Sequence, residues 1–229
     1  MKRQVIDALK HVRYKVANDT PDLEKIYRLR YRCYRAEGSI AENDLGLMTD
    51  PFDETANCLH VAVEMDEEIL AAVRLHLVSR LSFASPTLEV FPEVLDRVRH
   101  GQTVLDPTRF VIDPSARRNR VPLHFLALRI PFLAAMFYDI DLALAPVREE
   151  HTAFYRRYLG YDVEMKPRSY PGLQKPVQLL TANFREQRDT VLERTPVLGP
   201  MDDFPEADIQ FPDLNGIYAA SGMGRFKVA

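Results

Sequence analysis

Asp106, Thr108 and Arg109 put a carboxylate, a hydroxyl and a guanidinium within the short apolar segment Val104-Leu105-Asp106-Pro107-Thr108-Arg109-Phe110-Val111-Ile112. On a strand, Asp106 and Thr108 are two apart and share one face, and Arg109 is expected on the other. Pro107 cannot donate to a ladder, so it predicts a bulge or a splayed edge with backbone N–H groups left free. A carboxylate can take a proton from an amine, directly or through water. Free N–H groups can stabilise an oxyanion. Those are the parts that acyl transfer to an amine requires. The same residues also fit a strand edge carrying a surface ion pair.

A second group of residues bears on that choice. Arg30 falls on the apolar side of a helical pattern, with Ile26, Leu29 and Cys33, where a charge is costly unless it is paired. Arg74 sits inside the apolar run Ala71-Ala72-Val73-Arg74-Leu75 and makes the same demand. Asp50-Pro51-Phe52-Asp53 supplies two carboxylates from a loop. Each residue alone fits a buried structural ion pair. Together they predict a charge-balanced polar pocket assembled from distant segments.

Taken in order, these residues resemble the acyl-homoserine-lactone synthases and their relatives, the N-acyl amino acid synthases. Leu29-Arg30 with Tyr34 four residues after Arg30 is similar to that family's helix motif. Asp50-Pro51-Phe52-Asp53 is similar to its aspartate–x–aromatic–aspartate loop, and Val73-Arg74-Leu75 to its arginine–leucine strand. Asp106-Pro107-Thr108-Arg109-Phe110-Val111 resembles its glutamate–x–serine–arginine–phenylalanine motif with conservative changes. The resemblance spans roughly Tyr27 to Ala182. It implies an α+β fold of the GNAT type, with a mixed central sheet flanked by helices. It also implies an acyl thioester donor, usually the phosphopantetheine thioester of acyl carrier protein with acyl coenzyme A as the alternative, and a small-molecule amine as acceptor.

In that resemblance Asp106 helps to deprotonate the amine with Thr108 beside it, while Arg30, Tyr34, Asp50, Asp53, Arg74, Arg109 and Phe110 shape the pocket. Aspartate in place of glutamate shortens the arm by one methylene and favours proton transfer through a water over direct contact. The chain has no Trp, where homoserine-lactone synthases usually carry one shortly after the helix motif. This departure favours a free amino acid over S-adenosylmethionine, the acceptor that would give a homoserine lactone. A third reading is a non-catalytic GNAT-like module that binds acyl carriers or lipids.

GNAT enzymes usually place a glycine-rich loop before the helix that follows the central strand, where backbone N–H groups receive the donor's pyrophosphate. Here Asp113-Pro114-Ser115-Ala116-Arg117-Arg118-Asn119-Arg120-Val121-Pro122 has no glycine. Arg117, Arg118 and Arg120 instead form a basic patch suited to a phosphopantetheine phosphate and an acidic carrier surface, or simply a solvated basic loop. Tyr155 and Tyr158, in an aromatic helix closed by Gly160, read as core packing. His60 and His76 lack ligand spacing and read as structural histidines. No metal and no bound cofactor is expected.

These residues need elements to hold them. Thr20-Pro21 predicts a helix start, capped by the hydroxyl and running to about Arg35. His60–Glu64 and Leu70–Val78 predict a hairpin around Asp66-Glu67-Glu68, and Pro92–His100 a short helix. Thr103–Asp113 predicts a strand, Leu123–Tyr138 a buried helix, Ile140–Ala145 a strand and Val147–Leu159 a helix ended by Gly160. Val163–Glu164 and Val177–Ala182 are expected to close the sheet. Residues 1–184 are read as the acyltransferase domain, and 185–229 as an extension, rich in Pro and Asp, that wraps it irregularly.

Composition sets the outer limits. The chain has 229 residues, 46% hydrophobic and 28% charged, with a net charge of −3, as in an ordinary globular protein. That balance gives no drive toward nucleic acid or an anionic bilayer. Two cysteines, Cys33 and Cys58, are too few for a disulfide framework. With no signal-type apolar stretch and no run long enough to span a bilayer, a cytoplasmic location without membrane insertion is expected.

Overall fold

The computed structural model describes residues 2–114, 116, 122–204 and 207–214. Seven strands form one sheet in the order β1-β2-β3-β4-β5-β7-β6. They are β1 Arg13–Ala17, β2 Cys58–Met65, β3 Glu68–Val78, β4 Val104–Ile112, β5 Leu142–Val147, β6 Asp162–Arg168 and β7 Val177–Asn183. All neighbours are antiparallel except β4 and β5, which run parallel. The sheet is therefore mixed and the fold α+β, as the sequence led us to expect. The helices are α1 Lys2–Leu9, α2 Thr20–Ala36, α3 Pro86–Val90, α4 Leu95–Arg99, α5 Leu123–Phe137, α6 Thr152–Leu159 and α7 Phe184–Arg194. Among the described residues no helix is long and apolar enough to cross a membrane.

Period-two alternation assigns the two faces of the sheet. Val73, Leu75 and Leu77 of β3 and Leu105 of β4 join the large core beneath α5. On the opposite face Ala72 and Val111 pack with Ile26, Leu29 and Cys33 of α2. That face also carries the charged side chains. The β2–β3 turn has Asp66 and Glu67 at φ 51° and 65°, the geometry of a two-residue hairpin that follows strand twist. Glu68, expected in the turn, already belongs to β3.

Four local readings need correction. The cap of α2 is Asp19, whose carboxylate accepts from Asp22 N at 2.9 Å, one residue before the expected Thr20. The short helix expected over Pro92–His100 is a 3-10 turn, Pro92–Val94, followed by α4, and a further helix, α3, precedes it where a loop was expected. A short edge strand, β1, occupies a stretch that lacks a long apolar run. The segment after Asn183 is not irregular throughout: α7 occupies Phe184–Arg194, because proline enters only at Pro196. Beyond it, Val197, Leu198, Ala207, Ile209 and Phe211 are buried in the same core as α5. Arg129 of α5 is fully buried and donates to the carbonyls of Val197 and Gly199, each at 2.7 Å.

The strand pair β4–β5 shapes the site. Its ladder has only two residue pairs, Val104↔Leu142 and Leu105↔Ala143. Beyond Leu105 the two strands no longer pair. On its other side β4 keeps its pairing with β3 but skips a residue between Ala72 and Arg74. Arg109, at φ 52°, lies in that bulge, a conformation costly for a residue with a Cβ.

Candidate active site

The turn Pro51–Glu54 organises two carboxylates before any partner reaches them. Asp50 caps it by accepting from Phe52 N at 3.0 Å, and Asp53 accepts from Asp50 N at 2.8 Å. Three arginines from three elements converge on this pair. Arg30 of α2 donates to Asp53 Oδ1 at 2.7 Å. Arg74 of β3 bridges Asp50 and Asp53 at 2.6 and 2.8 Å. Arg109 of β4 reaches Asp50 Oδ2 at 2.6 Å. Arg74 also donates through Nε to Thr108 Oγ1 at 3.0 Å.

Arg30 and Arg74 are 0% exposed, so isolated guanidinium charges here would be severely destabilising. Burial pushes the two aspartates up, yet the guanidiniums outweigh it and hold both below the usual carboxylate range. They are fixed anions. His60, read from sequence as structural, completes the network: Nδ1 accepts from Arg30 Nη2 at 2.8 Å and Nε2 donates to the Asp53 carbonyl at 3.1 Å. Burial and the neighbouring Arg30 push its imidazole down to about 4, so it stays neutral. Arg109 does not point away from this group as plain alternation predicts. The bulge turns it to the side of Thr108 and Arg74.

Asp106 lies apart from the arginines. It is 0% exposed and accepts from Ser85 Oγ at 2.6 Å, Thr87 Oγ1 at 2.7 Å and Thr87 N at 3.4 Å. Ser85 caps α3, so a helix start delivers both hydroxyls to the carboxylate. Burial raises the Asp106 carboxyl above its ordinary value against the pull of these donors. Sequence reading missed Ser85, Thr87 and His60. The Ser85-Pro86-Thr87 helix-start pattern was the available signal for the first two.

A cleft of about 570 Å³ enters the gap between β4 and β5. Thr108, Arg109 and Phe110 form one lip, with Tyr34 of α2 beside them. The Tyr34 ring lies 5.7 Å from the Arg109 guanidinium carbon, a cation–π contact. The cleft runs on to a mostly apolar arm lined by Leu128, Phe132 and Ala135 of α5 and by Phe184 and Val191 of α7, with Gln187 and Arg188 of α7 also on its lining. At the mouth stand Arg148 and Lys175. Tyr155 lines the cleft, its phenol pushed up to about 12 by burial, whereas Tyr158 stacks edge-on against Phe125. Arg30, Asp50, Asp53, Arg74 and Asp106 support the wall from behind and do not line it. Arg117, Arg118 and Arg120 lie outside the described residues.

A cleft with one polar lip, one apolar arm and a parted strand pair can seat a thioester carbonyl at the gap with its chain in the arm. The comparisons with known proteins agree with that capacity. The family model described as "N-acyl amino acid synthase FeeM" matches residues 25–183. The solved structure of FeeM, an N-acyl amino acid synthase from uncultured soil microbes, superposes with a TM-score of 0.65 at 15% identity, covering 80% of this chain and 96% of that one. BjaI, a CoA-dependent acyl-homoserine lactone synthase, gives 0.60 at 17% identity over 83% and 90%. An acyl-CoA N-acyltransferase from Pseudomonas aeruginosa gives 0.50 at 16% identity over 74% and 98%. No protein of curated function matches the chain in sequence. The fold is that of the GNAT-like acyltransferases, and the matched span covers more than half of the chain. The chain thus belongs to the N-acyl amino acid synthase FeeM family and is an N-acyltransferase.

Proposed function

We propose that this enzyme moves a fatty acyl group from the phosphopantetheine thioester of acyl carrier protein to the α-amino group of a free amino acid, giving an N-acyl amino acid. The observation that carries this reading is the continuity of one cleft, from the apolar arm under α5 and α7, through the β4–β5 gap, to the cationic mouth at Arg148 and Lys175. The arm suits an alkyl chain, since apolar lining stabilises it by excluding water. The mouth suits the carboxylate that an amino acid carries and a simple amine lacks. Arg148 is shared with Glu37 and Glu150, at 3.5 and 3.0 Å, so Lys175 is the more available partner. The basic residues Arg117, Arg118 and Arg120 are assigned to the donor's phosphate and the acidic surface of its carrier.

The chemistry follows from the parted strands. The amine nitrogen attacks the thioester carbon, a C–N bond forms, and the oxyanion takes its hydrogen bonds from β4 backbone N–H groups that have no β5 partner beyond Leu105. The adduct then collapses with loss of the thiolate. Thr108 and Arg109 border the reacting atoms, and Asp106 is the eventual proton acceptor. The buried ion network keeps Arg109 in its strained position and presents no free charge to the amine.

Mass spectrometry of organic extracts from a bacterial host expressing the chain tests this directly. New N-acyl amino acids are expected, with head group and chain length read from the fragments. Acyl-homoserine lactones in their place would assign S-adenosylmethionine as acceptor. Extracts without either product, from cells with abundant folded protein, would favour a binding module.

A further inference from the structure

Asp106 presents a physical problem. Among the described residues none of the ion pairs includes it, yet it is fully buried. A carboxylate held this way, by two hydroxyls and one backbone N–H, costs more to bury than a paired one. A purely structural site would hold a neutral side chain at lower cost. It also stands behind the cleft wall, out of reach of a bound amine.

The hydroxyls around it lead back to the cleft. Thr87 Oγ1, which donates to Asp106 Oδ1, lies 3.5 Å from the Tyr170 hydroxyl. Tyr170 is itself 6% exposed and closes a recess of about 40 Å³. The other residues of that recess, Tyr34, Thr108, Arg109, Pro146, Leu173 and Val177, all line the main cleft as well. The recess thus shares its lining with the cleft, is large enough for one water molecule or an amino group, and has Tyr170 in its wall.

We propose that Tyr170, through Thr87, forms a hydroxyl relay that carries the proton of the attacking amine from the recess to Asp106. This rests on the amine attack proposed above. As the C–N bond forms, the nitrogen gives its proton to Tyr170 Oη. Tyr170 passes its own hydroxyl proton to Thr87 Oγ1, and Thr87 passes its proton to Asp106 Oδ1. The C–S bond breaks with the electron pair on sulfur. After product leaves, the proton returns along the same chain to the thiolate or to water, and Asp106 is again an anion. Catalytic hydrogen bonds of this length tighten in the reacting complex. Burial favours the protonated acid at the end of the chain, and it holds the Tyr170 phenol well above its ordinary value, so that Tyr170 passes a proton on without resting as phenolate. The other charged or titratable groups near Asp106 are Arg74 and His76 of β3 and Tyr161. His76, pushed down to about 3 by burial and then by Arg74, is neutral in the working range.

The test uses the purified full chain, palmitoyl-charged acyl carrier protein and an equimolar mixture of amino acids, followed across pH 6 to 10. Tyr170→Phe is expected to lower kcat about 10²-fold, in the range for loss of a proton-transfer group, while leaving both KM values within about threefold. Its rate should climb with pH as hydroxide replaces the relay. Thr87→Val should behave alike, and Thr87→Ser should restore the rate and the wild-type pH profile. A Tyr170→Phe enzyme with wild-type kcat and an unchanged profile overturns the relay while leaving the proposed reaction standing. A wild-type enzyme that acylates no amino acid overturns the proposed reaction, and the relay with it.

Discussion

Two sets of carboxylates lie on one face of this sheet, and their surroundings drive them in opposite directions. Asp50 and Asp53 are clasped by Arg30, Arg74 and Arg109, which hold their carboxyls below the ordinary range against the opposing effect of burial. Asp106, on the strand beside them, accepts only hydroxyl and backbone donors, and burial moves its carboxyl up. A site that separates its acids in this way assigns their roles: the clasped pair serves as fixed scaffold, and the isolated one can exchange a proton. The charges agree with that division. Three guanidiniums face two carboxylates in the cluster, whereas Asp106 has no guanidinium partner among the described residues.

The contrast is broken most severely by removing the scaffold. Asp53→Ala leaves Arg30 and Arg74 without their shared carboxylate, and stability should fall by about 3–5 kcal/mol, the range for a half-deleted buried ion pair. Urea denaturation would measure it, and an unchanged midpoint would show that the cluster is not a scaffold. Asp106→Asn should do the reverse. The amide still accepts from one hydroxyl, so the fold persists to within about 2 kcal/mol, while turnover drops about 10²-fold or more. A variant that loses stability but keeps its rate would exchange the two roles.

The smallest effect sharpens the comparison through pH. His60 and His76 are pushed down to about 4 and 3, so between those values and about 6.5 the unfolded chain binds protons that the folded one refuses. Stability therefore falls as pH drops below about 6.5, by up to about 1.4 kcal/mol per pH unit for each histidine. The low carboxyl values of Asp50 and Asp53 add a further loss of stability as pH falls below the usual carboxylate range, in the same direction. Above pH 7 neither pair changes stability. His60→Gln should halve the slope between pH 6.5 and 5, and a slope unchanged by that substitution would remove His60 from the account.

Much of this was legible in the chain. Arg30 betrayed itself by sitting among Ile26, Leu29 and Cys33, because only a partner makes a buried guanidinium tolerable, and the pattern of the 50–53 turn supplied that partner. The order of the central elements followed from period and punctuation. Other features were hidden for identifiable reasons. Arg109 was assigned to the wrong side because alternation holds only while the ladder is regular, and a positive φ at one residue reverses it. Ser85, Thr87 and Tyr170 come from segments 21, 19 and 64 positions from Asp106 in the numbering, and no local pattern links them. The helix α7 was masked by the proline-rich stretch that follows it.

The two rungs that join β4 to β5 also give the molecule a mechanical character. Strands β1–β4 form one antiparallel leaf and β5–β7 another, each internally well laced, and they meet along a seam barely two residues long. Such a seam acts as a spine for a book whose covers stand ajar. Side-chain ties outside the ladder brace it: Asp141 accepts from Thr103, Arg97 donates to Glu164, and Arg168 donates to Glu93. The opening beside the spine is thus framed by these braces as well as by the two rungs of the ladder.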